Sequence, residues 1–433
     1  MTPFPSWPGR RIARSLVVRA IGVLALAVCA LTAAGPAPAR PPPPSLIVIS
    51  LDGFRAEYLD RGLTPTLAAL ARDGVRARAM RPSFPSVTEP NHYTLMTGLY
   101  PDHHGVVDNT MLDPALPGMA FGGPHAAGTG DDNDPRWWSQ ATPLWVTAER
   151  RHLKTASSYW PGDGAVVQGV APSYLQPRPP GRNPFPPLEP QIDAVLGWLD
   201  LPADQRPALI RLHLDLVDII GHIAGPDGPA ISTALAKTDV VLARLVDGLK
   251  ARGMLDTVNL VVVSDHGMAA VSAKTTLYLD DLIDLKHATA AATGAEAGVN
   301  PAPGREAEVE AALLAKHDHF RCWRRADLPA ALHYGRNPRV PALVCLAEPG
   351  WMLTTREVAG HYPPLRGDHG YDPTLPDMAA IFIAHGPAFR PGVVLPAFDN
   401  VDVYPLLARL MDLRAQPGDG TLDPLRPALA KGR

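Results

Sequence analysis

Four apolar runs, each closing near an Asp or a His, limit this chain to a narrow set of architectures. They are SLIVISLDG (45–53), ALIRLHLDLVD (208–218), VNLVVVSDHGM (258–268) and MAAIFIAHG (378–386). Each is apolar on both faces of an extended chain, which suits a strand whose two faces are both covered. Between them, TPTLAALARDG (64–74) reads as a helix opened by proline and closed by glycine. PAISTALAKTDVVLARLVDGLKARG (229–253) reads as a long amphipathic helix. Two-sided strands alternating with helices predict an α/β fold, a mostly parallel sheet sandwiched by helices.

The remaining stretches set the domain organisation. Residues 1–39 read as a secretion signal. Arg10, Arg11, Arg14 and Arg19 form a basic start, residues 20–34 an apolar stretch, and Ala37–Ala39 a small-residue cleavage site. The apolar stretch is short for a membrane span, so a retained anchor is the alternative reading. The arginine pair points to twin-arginine export. Cys29 is a candidate lipidated residue, with Val28 a poor neighbour for it. The expected location is periplasmic or secreted, without a membrane contact once the signal is cut. Residues 40–285 and 356–433 read as one catalytic core, and 286–355, where the strand–helix rhythm breaks, as a small inserted capping subdomain. The 49 prolines, about twice the average share, cluster in the loops. No internal repeat is visible.

Charge excludes one class of function. The signal carries four arginines and no acids, so the mature chain moves from −3 to near −7. A nucleic-acid-binding module would show a basic stripe instead. The expected partner is a small-molecule substrate, and the expected assembly a monomer. Cys322 and Cys345, 23 residues apart, are expected to pair in an oxidising compartment; two buried thiols are the alternative.

Sites on open parallel sheets gather at the carboxyl ends of strands. Here those ends carry Asp52, Asp218 and the Asp265–His266 pair. Asp218 is followed four residues later by His222, and RGDHG adds His369. One strand-end aspartate is a common turn former. Several together, with imidazoles at such spacings, predict a two-metal site of the hard-to-borderline kind that suits zinc. Such a site gives meaning to FPSVTEPNHYTLMTGLYPDHHGVVDNT (84–110), which is rich in hydroxyls. A hydroxyl is a weak nucleophile until a cation lowers its pKa.

LDGFR, PSVTEPNHYTLMTGLYPDHHGVVDN, DLVDIIGHIAGPDGP, NLVVVSDHGM and GDHGYDPTLPDMAAIFIAHGPAF together resemble the nucleotide pyrophosphatase/phosphodiesterase family of the alkaline phosphatase superfamily. The likeness runs over roughly residues 45–415, with the motifs in order. It implies an alkaline-phosphatase-like core and two Zn²⁺ per chain. Asp52, Thr88, Asp265 and His266 would hold one zinc, and Asp218, His222 and His369 the other. Thr88 would be the nucleophile and become phosphorylated in the course of hydrolysis. Asn109 would donate to a non-bridging phosphate oxygen. His92, His103 and His104 lie outside the family's ligand pattern.

The sequence departs from that pattern where a nucleobase would stack. Glu89 follows the nucleophile in place of an aromatic residue, and His213 stands where a second aromatic is common. Tyr174 takes the place of another stacking residue. Glu89 would either attract a cationic head group such as choline or, the plainer reading, point into water. Phosphomonoesterase and phosphonate-hydrolase relatives place Lys and Arg near SSYWPGDGAVVQG (157–169). No Lys or Arg lies between Lys154 and Arg178, so a diester or pyrophosphate is the expected substrate. A monoesterase, a choline-type phospholipid diesterase and a non-enzymatic metal-binding protein are the alternatives.

Overall fold

The computed structural model describes residues 1–3, 44–122, 132–178, 187–361 and 363–431. Nearly all of the segment read as a signal, including Cys29, lies outside the described residues. Among the described residues no helix is long and apolar enough to cross a membrane.

The sheet forms where two-sided apolar runs predict it. Leu46–Leu51, fully buried, lies near the middle of eight strands. Leu46 and Val48 enter one apolar layer, and Ile47, Ile49 and Leu51 the opposite one. This is the period-two consequence of covering both faces. On one side the central strand pairs in parallel with Leu209–Leu214, followed by Thr155–Ser158 and Tyr174–Gln176. On the other side it pairs in parallel with Asn259–Val263. Next comes Phe382–His385, antiparallel to both of its neighbours, with Val75–Ala77 and Val393–Leu395 beyond it. The fold class is therefore as expected: an alkaline-phosphatase-like α/β core with a large, mostly parallel sheet between helices. The reversed strand brings its start, rather than its end, to the edge where Ser264 and Gly267 bond back to Ile381 and Met378.

Two sequence boundaries shift. The run 208–218 is not one strand. It ends at Leu214, and a helix, Leu216–Ala224, begins two residues later. LVDIIGHIA is apolar at both helical and strand spacing, and such short runs do not reveal their period. The helices over 64–74 and 229–253 form as Pro65–Asp73 and Pro229–Ala251.

The irregular stretch after residue 286 folds into a separate antiparallel sheet of four strands. Their order is Ala288–Ala292, Glu296–Pro301, Leu343–Ala347 and Phe320–Arg324. Cys322 and Cys345 face each other across the last pair and form a disulfide. The bridge closes a loop inside this sheet, worth about 3 kcal/mol by chain entropy. Reduction should therefore loosen this sheet and spare the large one. Hydrogen exchange with and without reductant reads the difference, and equal loss of protection in both sheets would contradict it.

The connection back from this sheet is anchored on the core. Arg339 is buried and fully engaged: it bonds Asp113 and the carbonyls of Gly105, Arg136 and Trp137. Asp102 accepts the N–H groups of Gly335, Arg336 and Asn337. Deeper in the same seam, Glu296 of the small sheet hydrogen-bonds Asp108 of the core. Burial pushes Asp108 up to about 6, and burial together with the Asp108 charge pushes Glu296 well above the carboxylate range. The folded pair thus holds protons that the unfolded chain releases near pH 4. Its contribution is complete at low pH and fades as pH rises through about 6 and beyond. Glu296→Gln keeps a donor and removes the shared proton. Its melting temperature should fall less steeply between pH 6 and 9 than the parent's, and identical slopes would refute the shared proton.

Candidate active site

The parallel register aligns the strand ends into one patch. Leu51 pairs with Leu214, and Ser50 with Val263, so Asp52 and Asp265 leave the sheet side by side. The Asp52 N–H bonds the Leu214 carbonyl at 3.0 Å. Gly53 then turns the chain with φ +65, and a Cβ there would lie 2.9 Å from the Asp218 Cα. Only glycine lets that helix come so close. The Gly53 N–H donates to Asp265 Oδ1 at 3.2 Å. Asp218 and His222 lie one turn apart on the helix Leu216–Ala224, with Oδ2 and Nε2 3.5 Å apart.

Thr88 opens the helix Thr88–Thr97. Buried Asn91 shapes the turn before it. Its amide N–H groups go to the Pro85 and Val87 carbonyls, and its carbonyl accepts from Ser83 N–H and the Asn400 amide. Thr88 Oγ1 comes to rest 3.2 Å from His266 Nε2. The Glu89 N–H goes to Asn109 Oδ1 at 2.8 Å, and Pro90 has no N–H. Little of the helix end is left for an anion, and that bond ties Asn109 to the residue that follows Thr88.

Around Thr88 the side chains are set for cations. His222 Nδ1 bonds the Gly367 carbonyl, His266 Nδ1 the Gly267 carbonyl and His369 Nδ1 the Ser86 carbonyl, at 2.8 to 3.0 Å. A carbonyl only accepts, so each Nδ1 carries the proton and each Nε2 presents a lone pair. The Nε2 atoms of His222 and His369 lie 3.1 Å apart, a contact without a proton to share. Asp52 Oδ1, Asp218 Oδ1 and Asp265 Oδ2 are buried with no hydrogen-bond partner. Nε2 of His266 lies 3.4 Å from Asp52 Oδ1 and 3.1 Å from Asp265 Oδ2, and Nε2 of His369 lies 3.6 Å from Asp218 Oδ1. Asp52, Asp265 and His266 form one group able to hold a metal ion, and Asp218, His266 and His369 another. Orphaned carboxylates facing imidazole lone pairs fit divalent cations, and are costly without them.

Burial, then the charges of Asp265 and Asp218, push Asp52 well above the carboxylate range. Burial acts the same way on Asp265, but the neighbouring His266 and His92 outweigh it and hold Asp265 well below. Burial lowers His266, but Asp265 outweighs it and raises the ring, so a cation bound at Nε2 displaces a proton there. Burial, with His266 and His222 nearby, keeps His369 neutral.

The base-stacking positions come out differently from the sequence reading. Tyr174 is not brought to this patch. It pairs with Ala156, level with Ile47 on the central strand, and its hydroxyl bonds the Gln205 carbonyl. At ~3.3 Å per residue it stands roughly 16 Å short of the strand end along the sheet. Tyr159, just past Thr155–Ser158, is nearer: its carbonyl accepts from His213 Nδ1, and His213 Nε2 lies 2.8 Å from Asp52 Oδ2. His213 therefore braces Asp52 and offers no free face. Glu89 does not simply point into water. Its Oε2 is buried without a partner, and burial, then Asp132, Asp265 and Asp163, raise the carboxyl to about 8. Arg178 opposes that rise, so the stretch without Lys or Arg ends in a cation at the site. His92 bonds the Thr88 carbonyl and Ser50 Oγ. His103 and His104 turn away to Asp419 and Thr94. Asn91, Tyr159 and Arg178 were given no role from sequence, although Asn91 and Tyr159 lie inside quoted stretches and Arg178 bounds one.

This α/β sheet carries Asp and His at its strand ends in groups able to hold metal ions. The chain belongs to the family described as type I phosphodiesterase/nucleotide pyrophosphatase, whose sequence pattern matches residues 46–372. It is 37% identical over 399 residues to an uncharacterised pyrophosphatase/phosphodiesterase of Schizosaccharomyces pombe, covering 88% of this chain and 80% of that protein. It is 34% identical over 405 residues to mouse ectonucleotide pyrophosphatase/phosphodiesterase family member 1, covering 91% of this chain but 44% of that longer protein. Among solved structures it is similar to murine ectonucleotide pyrophosphatase/phosphodiesterase 5, an inactive threonine-to-alanine variant in complex with AMP. There the TM-score is 0.83 at 32% identity, over 89% of this chain and all of that one.

Proposed function

We propose that this enzyme hydrolyses phosphodiester or pyrophosphate bonds of nucleotides or related diesters through a phosphorylated Thr88. Asp52, Thr88, Asp265 and His266 would hold one zinc ion, and Asp218, His222 and His369 a second. Bound there, the ions would supply Lewis-acid chemistry, lowering the pKa of a hydroxyl and of water and offsetting charge on phosphate oxygens. The observation that carries this reading is the set of three imidazoles that each spend Nδ1–H on a carbonyl, with Nε2 of His266 and of His369 close to carboxylate oxygens that have no hydrogen-bond partner.

Thr88 Oγ1 attacks phosphorus in line, the Oγ–P bond forms, and the bond to the leaving oxygen breaks. The threonine then carries a phosphoryl group that keeps its other ester substituent. Water attacks from the opposite side and regenerates Thr88. Asn109 Nδ2 donates to a non-bridging oxygen in both steps. His213 holds Asp52, and His92 holds the first turn of the Thr88 helix against Ser50. The disulfide fits an oxidising, periplasmic or secreted location.

A panel of a nucleoside 5′-(4-nitrophenyl) diester, 4-nitrophenyl phosphocholine and 4-nitrophenyl phosphate tests this reading. The nucleotide diester should turn over fastest. A faster rate on the choline ester would select the choline-type reading instead. A fastest monoester would overturn the diesterase assignment.

A further inference from the structure

The substituent on the far side of the reacting phosphorus must be read by residues around the rim, and one cation stands among the carboxylates there. Arg178 follows the edge strand Tyr174–Gln176 by two residues. That strand is parallel to its neighbour, with Gln176 level with Ser158 and, through it, Leu212. Two residues on, the chain is level with the strand ends that carry the site.

Two independent anchors fix the guanidinium at that height. It forms an ion pair with Asp215, whose carboxylate is buried and whose residue precedes the helix bearing Asp218. It also lies 5.9 Å from the ring centroid of Tyr159, within cation–π range. Tyr159 is tied through His213 to Asp52. The side chain remains 52% exposed, and one carboxylate uses only part of its five donors.

A diester presents one negative charge at phosphorus, which the cation ligands and Asn109 would address. A second negative charge next to it would otherwise meet the carboxylates of Asp163 and Asp215. We infer that Arg178 is a specificity-determining residue that binds this second negative charge, as a planar fork matched to phosphate oxygens. The charge belongs either to the neighbouring phosphate of a pyrophosphate or to the extra oxygen of a monoester. Asp215 and Tyr159 are the positioning residues that hold the fork open. The inference rests on the phosphohydrolase reading above.

The test compares parent, Arg178→Met and Arg178→Lys on three substrates. Bis(4-nitrophenyl) phosphate carries one charge, ATP supplies the pyrophosphate arm, and 4-nitrophenyl phosphate the monoester arm. In Arg178→Met, kcat/KM for a charged substrate relative to the bis ester should fall roughly 10–100-fold, mainly through KM. Arg178→Lys should recover part of the ratio. A selective fall on ATP locates the second charge on a neighbouring phosphate, and one on the monoester locates it on the terminal oxygen. Unchanged ratios, or equal losses on all three substrates, overturn the inference. A parent inactive on all three would instead overturn the phosphohydrolase reading.

Discussion

Thr88→Ala should lower kcat/KM by roughly 10³–10⁶-fold while leaving a folded protein. The side chain opens a helix and reaches His266 Nε2 at 3.2 Å. Alanine keeps helix propensity and leaves untouched the Asn91 bonds that shape the preceding turn. Six further Asp and His ligands stay in place, so metal content should remain near the parent's. Thr88→Ser retains the hydroxyl and should keep substantial activity. Steady-state rates and a thermal melt on the three proteins check this. An alanine variant as active as the parent would mean that water attacks phosphorus directly.

Asp265→Asn should cost at least roughly 10³-fold in activity and weaken the stabilisation the protein gains from zinc. Asp265 Oδ1 is held by the Gly53 N–H, and Oδ2 has no partner 3.1 Å from His266 Nε2. The amide fits the same space, but its NH2 group replaces the lone pairs of a ligand oxygen. Zinc should therefore raise the melting temperature of the variant less than that of the parent. A variant that gains as much from zinc as the parent would show that the carboxylate does not hold a cation.

Much of this site was legible because its ligands sit where strand ends must sit. Asp52 and Asp265 each close a two-sided apolar run, and such a run names its own carboxyl end. Asp218 and His222 were legible through their four-residue spacing, although the run before them hid a helix start. The rim was not legible. Tyr174 and Arg178 are four residues apart on one edge segment, and only the strand's register decides which reaches the strand ends. Glu89 reads as an ordinary surface carboxylate, because the charges that act on it come from residues distant in sequence such as Asp132 and Asp163. The antiparallel course of Phe382–His385 was hidden for a similar reason: an apolar strand carries no mark of its direction.

Elemental analysis of the purified, active protein tests the two-cation reading most directly. The carboxylates without partners and the three imidazoles that bond carbonyls through Nδ1 and leave Nε2 for a cation predict two zinc ions per chain. Activity should vanish on chelation and return with zinc. Full activity with one zinc ion or none per chain would contradict it.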